Sequence, residues 1–398
     1  MQPRLLPVAA LAAVTALALT GCVPNASAPG ATHAALTVDS STTACTVSGS
    51  MASAGSVTFT VSNSGDQVTE FYVLGDDQLR IVGEAENIGP GLSRTLVVDL
   101  SAGSYFTACK PGMTGSGIGQ AAFTVTVAAA AAGGEDAATA SPGGAELAAR
   151  IDTANTNYAS YVKDQIGQLV AGTTAFAAAY TAGDDDTART LYAATRAHWE
   201  RVETVAESFG DLDPKLDLRE ADLEEGQDWT GWHAIEKDLW PAGAEAGFAA
   251  YPAAERARLA GLLVTDTATL NEKVQPLTFT LAQQTNGAIG LLDEVASGKV
   301  TGEEEVWSHT DLWDFQANVD GARVLYAGVR DVLVQKDAAL AATLDTRFAA
   351  LQSLLDAQRV GDGFVLYTDL STSTVKGLAD QVNALAEPLG RLTAALVL

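Results

Sequence analysis

Apolar and polar positions follow one period in the first third of this chain and another in the rest. Val57, Phe59 and Val61 alternate with polar neighbours, the period of two of a half-buried strand, until Asn63-Ser64-Gly65-Asp66 breaks the run. Shorter runs of the same kind follow over 69–74, 79–82, 95–99, 104–108 and 122–127, punctuated by Asn87-Ile88-Gly89-Pro90-Gly91 and Lys110-Pro111-Gly112. Many short strands at this spacing predict a β-domain over residues 36–127, a sandwich or small barrel. Residues 128–145 (AAAAAGGEDAATASPGGA) are of low complexity and lack aromatic residues, which predicts a flexible linker. From Glu146 onward alternation disappears, Ala, Leu, Glu, Gln and Arg dominate, and Gly or Pro falls mainly between periodic segments. Helices are predicted over 147–182, 185–209, 230–240, 253–274, 278–297, 312–334, 337–359 and 372–396. The second domain, 146–398, is therefore all-α, one long bundle or two stacked ones.

The N-terminus points to export. Arg4 precedes an apolar stretch over 5–19 that is short for a membrane span and the right length for a signal-peptide core. It ends in Leu19-Thr20-Gly21-Cys22, which resembles a bacterial lipobox. Residues 1–21 then form a signal peptide, Cys22 carries lipid, and 22–35 tethers the folded part at the outer face of the cell membrane, on its periplasmic side or the cell surface. A plain signal peptide with an incidental cysteine is the alternative. No second apolar run is long enough to span a bilayer, so the lipid anchor would be the sole attachment.

Charge narrows the partners. The formal net charge is −26, and removing residues 1–21, whose one charged side chain is Arg4, makes it more negative still. Such a surface repels nucleic acid and anionic lipid and attracts cations. The two other cysteines, Cys45 and Cys109, are either a disulfide, which an oxidising compartment would preserve, or a pair of ligands.

The most informative segment is Asp228-Trp229-Thr230-Gly231-Trp232-His233-Ala234-Ile235-Glu236-Lys237-Asp238-Leu239-Trp240-Pro241. On a helix at about 100° per residue, Trp229, His233, Glu236 and Trp240 share one face, while Trp232, Ile235 and Leu239 form a second apolar stripe. The helix is then buried nearly all round, and a buried imidazole–carboxylate pair is costly unless something satisfies it. A metal ion would; a His–Glu hydrogen bond in the core is the alternative. Glu200 and Glu203 make another i,i+3 pair, with Glu207 on the same side. Val202, Val205 and Phe209 lie on roughly the opposite face, so these glutamates serve a site only if their helix packs on both sides. His309, Asp311 and Asp314 form a further acidic group, in which Asp311 has a rival role as a helix opener.

The stretch over 203–240, with AESFGDLDP, an acidic turn and GWHAIEKDLW, resembles the imelysin-like (M75 peptidase-like) domain. With a β-domain carrying TEFYVLG, GEAENIGPG and TACKPGM in front of it, nearly the whole mature chain resembles the extracytoplasmic component of an iron-uptake system. The resemblance implies a cupredoxin-like β-sandwich followed by an imelysin-like helical domain whose His-x-x-Glu motif binds metal. By motif His233 and Glu236 match that signature, and Glu200, Glu203 and Asp228 match acidic positions that complete the site. Asp228 has a rival role as helix N-cap. Oxygen-rich ligands with one imidazole suit a hard cation, so iron, Fe²⁺ or Fe³⁺, is favoured over zinc or copper, with zinc and manganese as the alternatives.

A blue-copper centre needs two histidines and a cysteine, and no histidine occurs between His33 and His198. Cys109 and Met113 keep half of that pattern. With Cys45, Glu70, Glu84 and Glu86 they are candidates for a second site, for copper or Fe³⁺, the alternative being a Cys45–Cys109 disulfide without metal. The function expected from all this is non-enzymatic: iron is captured outside the membrane and passed to a membrane permease, with a haem-dependent peroxidase as a further partner. Two other readings compete. A metallopeptidase needs a second histidine of a His-Glu-x-x-His or His-x-x-Glu-His motif, and position 237 is Lys. A metal-free surface lipoprotein explains anchor, linker and acidity but not a Trp-flanked His–Glu pair.

Overall fold

The period-two segments pair into two mixed sheets, and the rest of the described chain is helical apart from loops and a short antiparallel hairpin, Arg359–Val360 with Gly363–Phe364. The computed structural model describes residues 34–78, 81–113, 117–127, 142–223, 226–297 and 299–397. The signal peptide, Cys22, the 22–35 tether up to residue 33 and the linker from 128 to 141 lie outside these residues. The strands are β1 (Ala34–Ser40), β2 (Cys45–Val47), β3 (Met51–Ser53), β4 (Gly55–Asn63), β5 (Thr69–Leu74), β6 (Ile81–Ile88), β7 (Ser93–Leu100), β8 (Gly103–Cys109) and β9 (Ile118–Thr126). One sheet has the order β2-β1-β4-β7 and the other β3-β9-β8-β5-β6, with β1–β4 and β3–β9 parallel and the remaining pairs antiparallel. Val57, Phe59 and Val61 of β4 are buried, as their alternation requires, and Phe59 meets Phe71 and Phe123 with ring centroids 5.2 and 5.6 Å apart. The same alternation decides what the outer face of the second sheet carries. Phe71 and Val73 point into the core, so Glu70 and Tyr72 point the other way, and Tyr72 pairs in register with Glu84 of β6.

Cys45 and Cys109 are joined by a disulfide with an S–S length of 2.05 Å, which closes a sequence separation of 64 residues. The reading of these cysteines as metal ligands is thereby corrected, because neither sulfur is a thiolate. The bond ties the start of β2 to the end of β8 and restricts the unfolded chain. Replacing both cysteines with serine is expected to lower stability by about 2–4 kcal/mol in urea unfolding without altering metal uptake by the helical region.

The helices are α1 (Pro142–Ala182), α2 (Asp185–Glu200), α3 (Leu212–Asp217), α4 (Trp232–Leu239), α5 (Ala253–Val274), α6 (Leu281–Ser297), α7 (Asp311–Lys336), α8 (Ala338–Asp356), α9 (Thr372–Leu389) and α10 (Leu392–Val397). Their shared core is aromatic near α4, where Trp232 lies 5.0 Å from Phe176 and 5.8 Å from Tyr192, centroid to centroid. Among the described residues no helix is long and apolar enough to cross a membrane. α1 starts at Pro142, four residues ahead of the predicted domain boundary.

The predicted helix over 185–209 breaks in two, and the break matters for the site. α2 ends at Glu200, and Glu203–Phe209 forms 3-10 turns in which Val205 has φ −130°. The β-branched run Val202, Thr204, Val205 weakens helix here, and α6 crosses so closely that a Cβ on Gly287 would come within 1.7 Å of the Thr204 carbonyl oxygen. Val202, Val205 and Phe209 are buried on one side while Glu200 is buried on the other, which is the two-sided packing the glutamates require. α6 also carries the β-domain. Asn286 Nδ2 donates to the Val97 carbonyl at 2.6 Å, and a Cβ on Gly290 would lie 2.9 Å from Glu86 Oε2.

Candidate metal centre

α4 is held by a glycine that no other residue replaces easily. Gly231 has φ 87° and ψ −163°, and a Cβ there would lie 2.1 Å from the Leu216 carbonyl oxygen. The chain therefore turns sharply into α4 at Trp232 instead of running helically from residue 230, and Trp229 and Asp228 stay outside the helix. Pro241 follows its last turn. All eight residues of α4 are buried, including His233, Glu236, Lys237 and Asp238.

His233 and Glu236 meet one turn apart. His233 Nδ1 is 3.2 Å from Glu236 Oε2, while Glu236 Oε1 accepts from the backbone N–H groups of Trp307 and Ser308 at 3.0 and 2.7 Å. The loop before α7 is thus tied to α4. The other imidazole nitrogen, Nε2, is buried and has no hydrogen-bond partner. It lies 3.4 Å from Asp217 Oδ1 and 3.6 Å from Glu304 Oε1. Three groups place their donor atoms within 4.8 Å of one another: Asp217, His233 and Glu304; His233, Glu236 and Glu305; and Glu200, Glu203 and Asp217.

Two buried cations thread this cluster. Arg196 on α2 contacts Glu200 Oε1 at 2.7 Å, Glu304 Oε1 at 2.9 Å, Glu305 Oε1 at 2.6 Å and Asp314 Oδ2 at 3.4 Å, and it also meets Asp217. Lys299 Nζ is 2.7 Å from both Glu200 Oε2 and Glu203 Oε2. Arg219 joins at the rim, 3.5 Å from Glu304 Oε2. Against these stand the carboxyls of Glu200, Glu203, Asp217, Glu236, Glu304, Glu305, Asp311 and Asp314, so anionic groups outnumber fixed cations.

The imbalance shows in the protonation of the group. Burial and Arg196 push His233 down, but Glu236, Glu304 and Glu305 outweigh them and raise it to about 9. Burial likewise works against Glu304, yet Lys299, His233 and Arg196 hold it well below the usual carboxylate range. Burial and then the neighbouring Glu236 and Asp314 push Glu305 far up, and burial raises Asp314 to about 7 and Asp311 to about 6. Metal ligands must give up their protons to bind, so any binding of a metal here would depend on pH. The donor set, one imidazole among carboxylate oxygens, fits a hard or borderline cation.

The imelysin family, labelled peptidase M75, matches residues 154–392. The chain belongs to the imelysin family. The match contains every residue of the centre described above. The curated relatives include the iron uptake system component EfeO of Yersinia pestis, 37% identical over 346 residues, and that of Escherichia coli K12, 35% identical over 346 residues, each alignment covering 86% of this chain and 86% of the relative.

Within the imelysin region the structure gathers His233, Glu236, Glu200 and Glu203 into one buried cluster. Asp228 does not join it. Its side chain is 71% exposed and pairs with Arg258 at 3.0 Å, and the N-cap position of α4 belongs to Gly231, so neither role foreseen for Asp228 holds. Of the acidic group near 309–314, Asp311 and Asp314 belong to the same cluster. His309 shares no close grouping of metal donors among the described residues. Lys237 pairs with Glu220 at 2.5 Å and Glu245 at 2.9 Å, and its ammonium lies 5.8 Å from the Trp229 centroid, 5.2 Å from Phe248 and 5.5 Å from Trp307.

Sequence reasoning missed Asp217, Glu304 and Glu305, and with them both buried cations. A signal existed for two of these: Glu303-Glu304-Glu305 is an acidic run placed directly against Val306 and Trp307, an odd place for a solvated surface. Asp217 sits in LDPKLDLRE, where nothing local marks it. In the β-domain Met113 lies in the 3-10 turn Pro111–Met113 after the disulfide. Glu70, Glu84 and Glu86 line a cleft of about 380 Å³ whose opposite wall is formed by Glu203, Asp217, Arg219 and Glu304. Burial raises Glu70, which accepts a hydrogen bond from Tyr72.

Proposed function

We propose that this protein captures iron outside the cell membrane at the His233 centre and delivers it to a membrane permease. One observation carries the reading: a buried imidazole nitrogen that makes no hydrogen bond, His233 Nε2, held at 3.4 and 3.6 Å from Asp217 and Glu304 in a cluster with excess negative charge. Buried polar atoms of native proteins are nearly always satisfied, and an ion bound at this point satisfies Nε2 and offsets the charge together. His233, Asp217 and Glu304 supply the first donors, with Glu236 and Glu305 on the other imidazole edge and Glu200 and Glu203 beyond. The name of the relatives from Y. pestis and E. coli, iron uptake system component, supports iron as the cargo.

The same reading takes the N-terminus as a signal peptide with lipid on Cys22, which keeps the protein at the outer face of the membrane beside its permease and a haem-dependent peroxidase. The β-domain, in a cupredoxin-like role without copper chemistry, lends Glu70, Glu84 and Glu86 to an acidic approach that draws cations through the cleft to the centre. The protein acts as a carrier and not as a peptidase. Calorimetric titration of the whole protein with Fe²⁺ under anaerobic conditions, and with Fe³⁺ as its citrate chelate, is expected to give saturable binding of at least one of them. Absence of binding in both titrations would defeat the proposal.

A further inference from the structure

Lys299 stands where the second half of the donor set converges. It opens a 3-10 turn, Lys299–Thr301, shortly after α6, and its side chain is fully buried. Besides its contacts at 2.7 Å with Glu200 Oε2 and Glu203 Oε2, Nζ lies 3.9 Å from Glu304 Oε1. Asn318 Nδ2 donates to the same two oxygens at 2.9 Å each. The amide and the ammonium therefore hold the two carboxylates together; of the two only the ammonium carries charge, and on Glu200 it shares the neutralisation with Arg196 at Oε1. Glu200 and Glu203 are also the pair that, with Asp217, bring oxygens within reach of a single ion. An ammonium has three donors and no acceptor, so while it is seated it blocks these oxygens and cannot itself ligate a metal.

We infer that Lys299 is a tethered cation that competes with the captured metal for Glu200 and Glu203, seated when the centre is empty and displaced when it is loaded. The inference rests on the metal-capture reading and adds a means of release to it. Without Lys299 a cluster this acidic, left with Arg196, would hold a metal more tightly and would repel itself more strongly when empty. A lysine on the neighbouring turn answers both problems, since it replaces the departing charge from within the protein. Space for its displacement lies alongside: Glu203 and Glu304, which flank the ammonium, also line the cleft that Glu70, Glu84 and Glu86 face. Lysine suits this task better than arginine. Its compact charge sits on a flexible stem, whereas Arg196 is clamped by carboxylates on several sides.

The test is iron affinity in the whole protein, for whichever of anaerobic Fe²⁺ and Fe³⁺ citrate the wild type binds. Lys299→Met is expected to bind about tenfold more tightly or better, the scale of one charge-assisted contact removed from competition, while Lys299→Arg binds no better than wild type. Should Lys299→Met fail to fold without metal, the wild type still decides the matter. An amine-acylating reagent followed by peptide mass spectrometry is expected to leave Lys299 unmodified in the metal-free protein and to modify it once iron is bound. Equal affinity of Lys299→Met and wild type, or equal protection of the amine with and without iron, overturns the inference while the capture reading stands. A wild type that binds no iron sinks both.

Discussion

Replacing Arg196 with methionine is expected to destabilise the protein by about 3–5 kcal/mol, the cost of removing one side of a buried ionic network. The guanidinium is fully buried and meets Glu200, Asp217, Glu304, Glu305 and Asp314. Methionine keeps most of the volume but leaves these carboxyls to Lys299 and the imidazolium of His233. The deficit also has a sign in pH. Burial opposes ionisation of Glu200 and Glu304, yet Lys299 and Arg196 hold the first below the usual range, and Lys299, His233 and Arg196 hold the second far below it. A carboxyl depressed in the folded state contributes stability at neutral pH that is lost as pH falls through its folded value. Without Arg196 that contribution shrinks and the crowded carboxyls take up protons more readily. The gap between wild type and variant should therefore hold down to the ordinary carboxylate value and narrow from about pH 5 to about pH 3, where the wild type loses that contribution. Urea unfolding at both pH values checks the magnitude and the trend. A variant as stable as wild type at neutral pH would show that the network contributes nothing net to folding.

His233→Ala is expected to weaken iron binding by about a hundredfold or more, since loss even of groups behind the ligands costs about 10–100-fold. The substitution removes the buried nitrogen that faces Asp217 and Glu304 and also the partner of Glu236. Two measurements should agree: calorimetric affinity, and the rise in melting temperature that iron gives the wild type, which should largely vanish in the variant. Asp228→Ala is the companion experiment. That residue pairs with Arg258 in solvent, so its removal should leave the affinity within about twofold of wild type, as for a surface ion pair. Equal losses in the two variants would mean that general acidity, and not this constellation, draws the metal.

Some of the centre was legible in the chain because it is local. His233 with Glu236, and Glu200 with Glu203, are three residues apart; one helical turn brings the first pair together, and the second stays close even though α2 ends at Glu200 and 3-10 turns begin at Glu203. The failures mark where that logic ends. Asp228 lies only five residues before His233, but Gly231 bends the chain between them. Cys45 and Cys109 admitted two readings because their distance in the fold is set by how β2 and β8 are placed, which no spacing records.

By itself, the sequence determined the element types and their order, a β-domain followed by an all-α one, since periods of two and 3.6 are properties of single segments. It also determined the acidity and the His-x-x-Glu turn on which the centre is built. Only the tertiary structure decided the rest: that α2, α3, α4 and the loop before α7 meet, that Asp217, Glu304 and Glu305 complete the cluster, and that Arg196 and Lys299 lie inside it. These residues are brought together by the packing of several helices, and which buried charges face one another follows from that packing and not from any one stretch of chain.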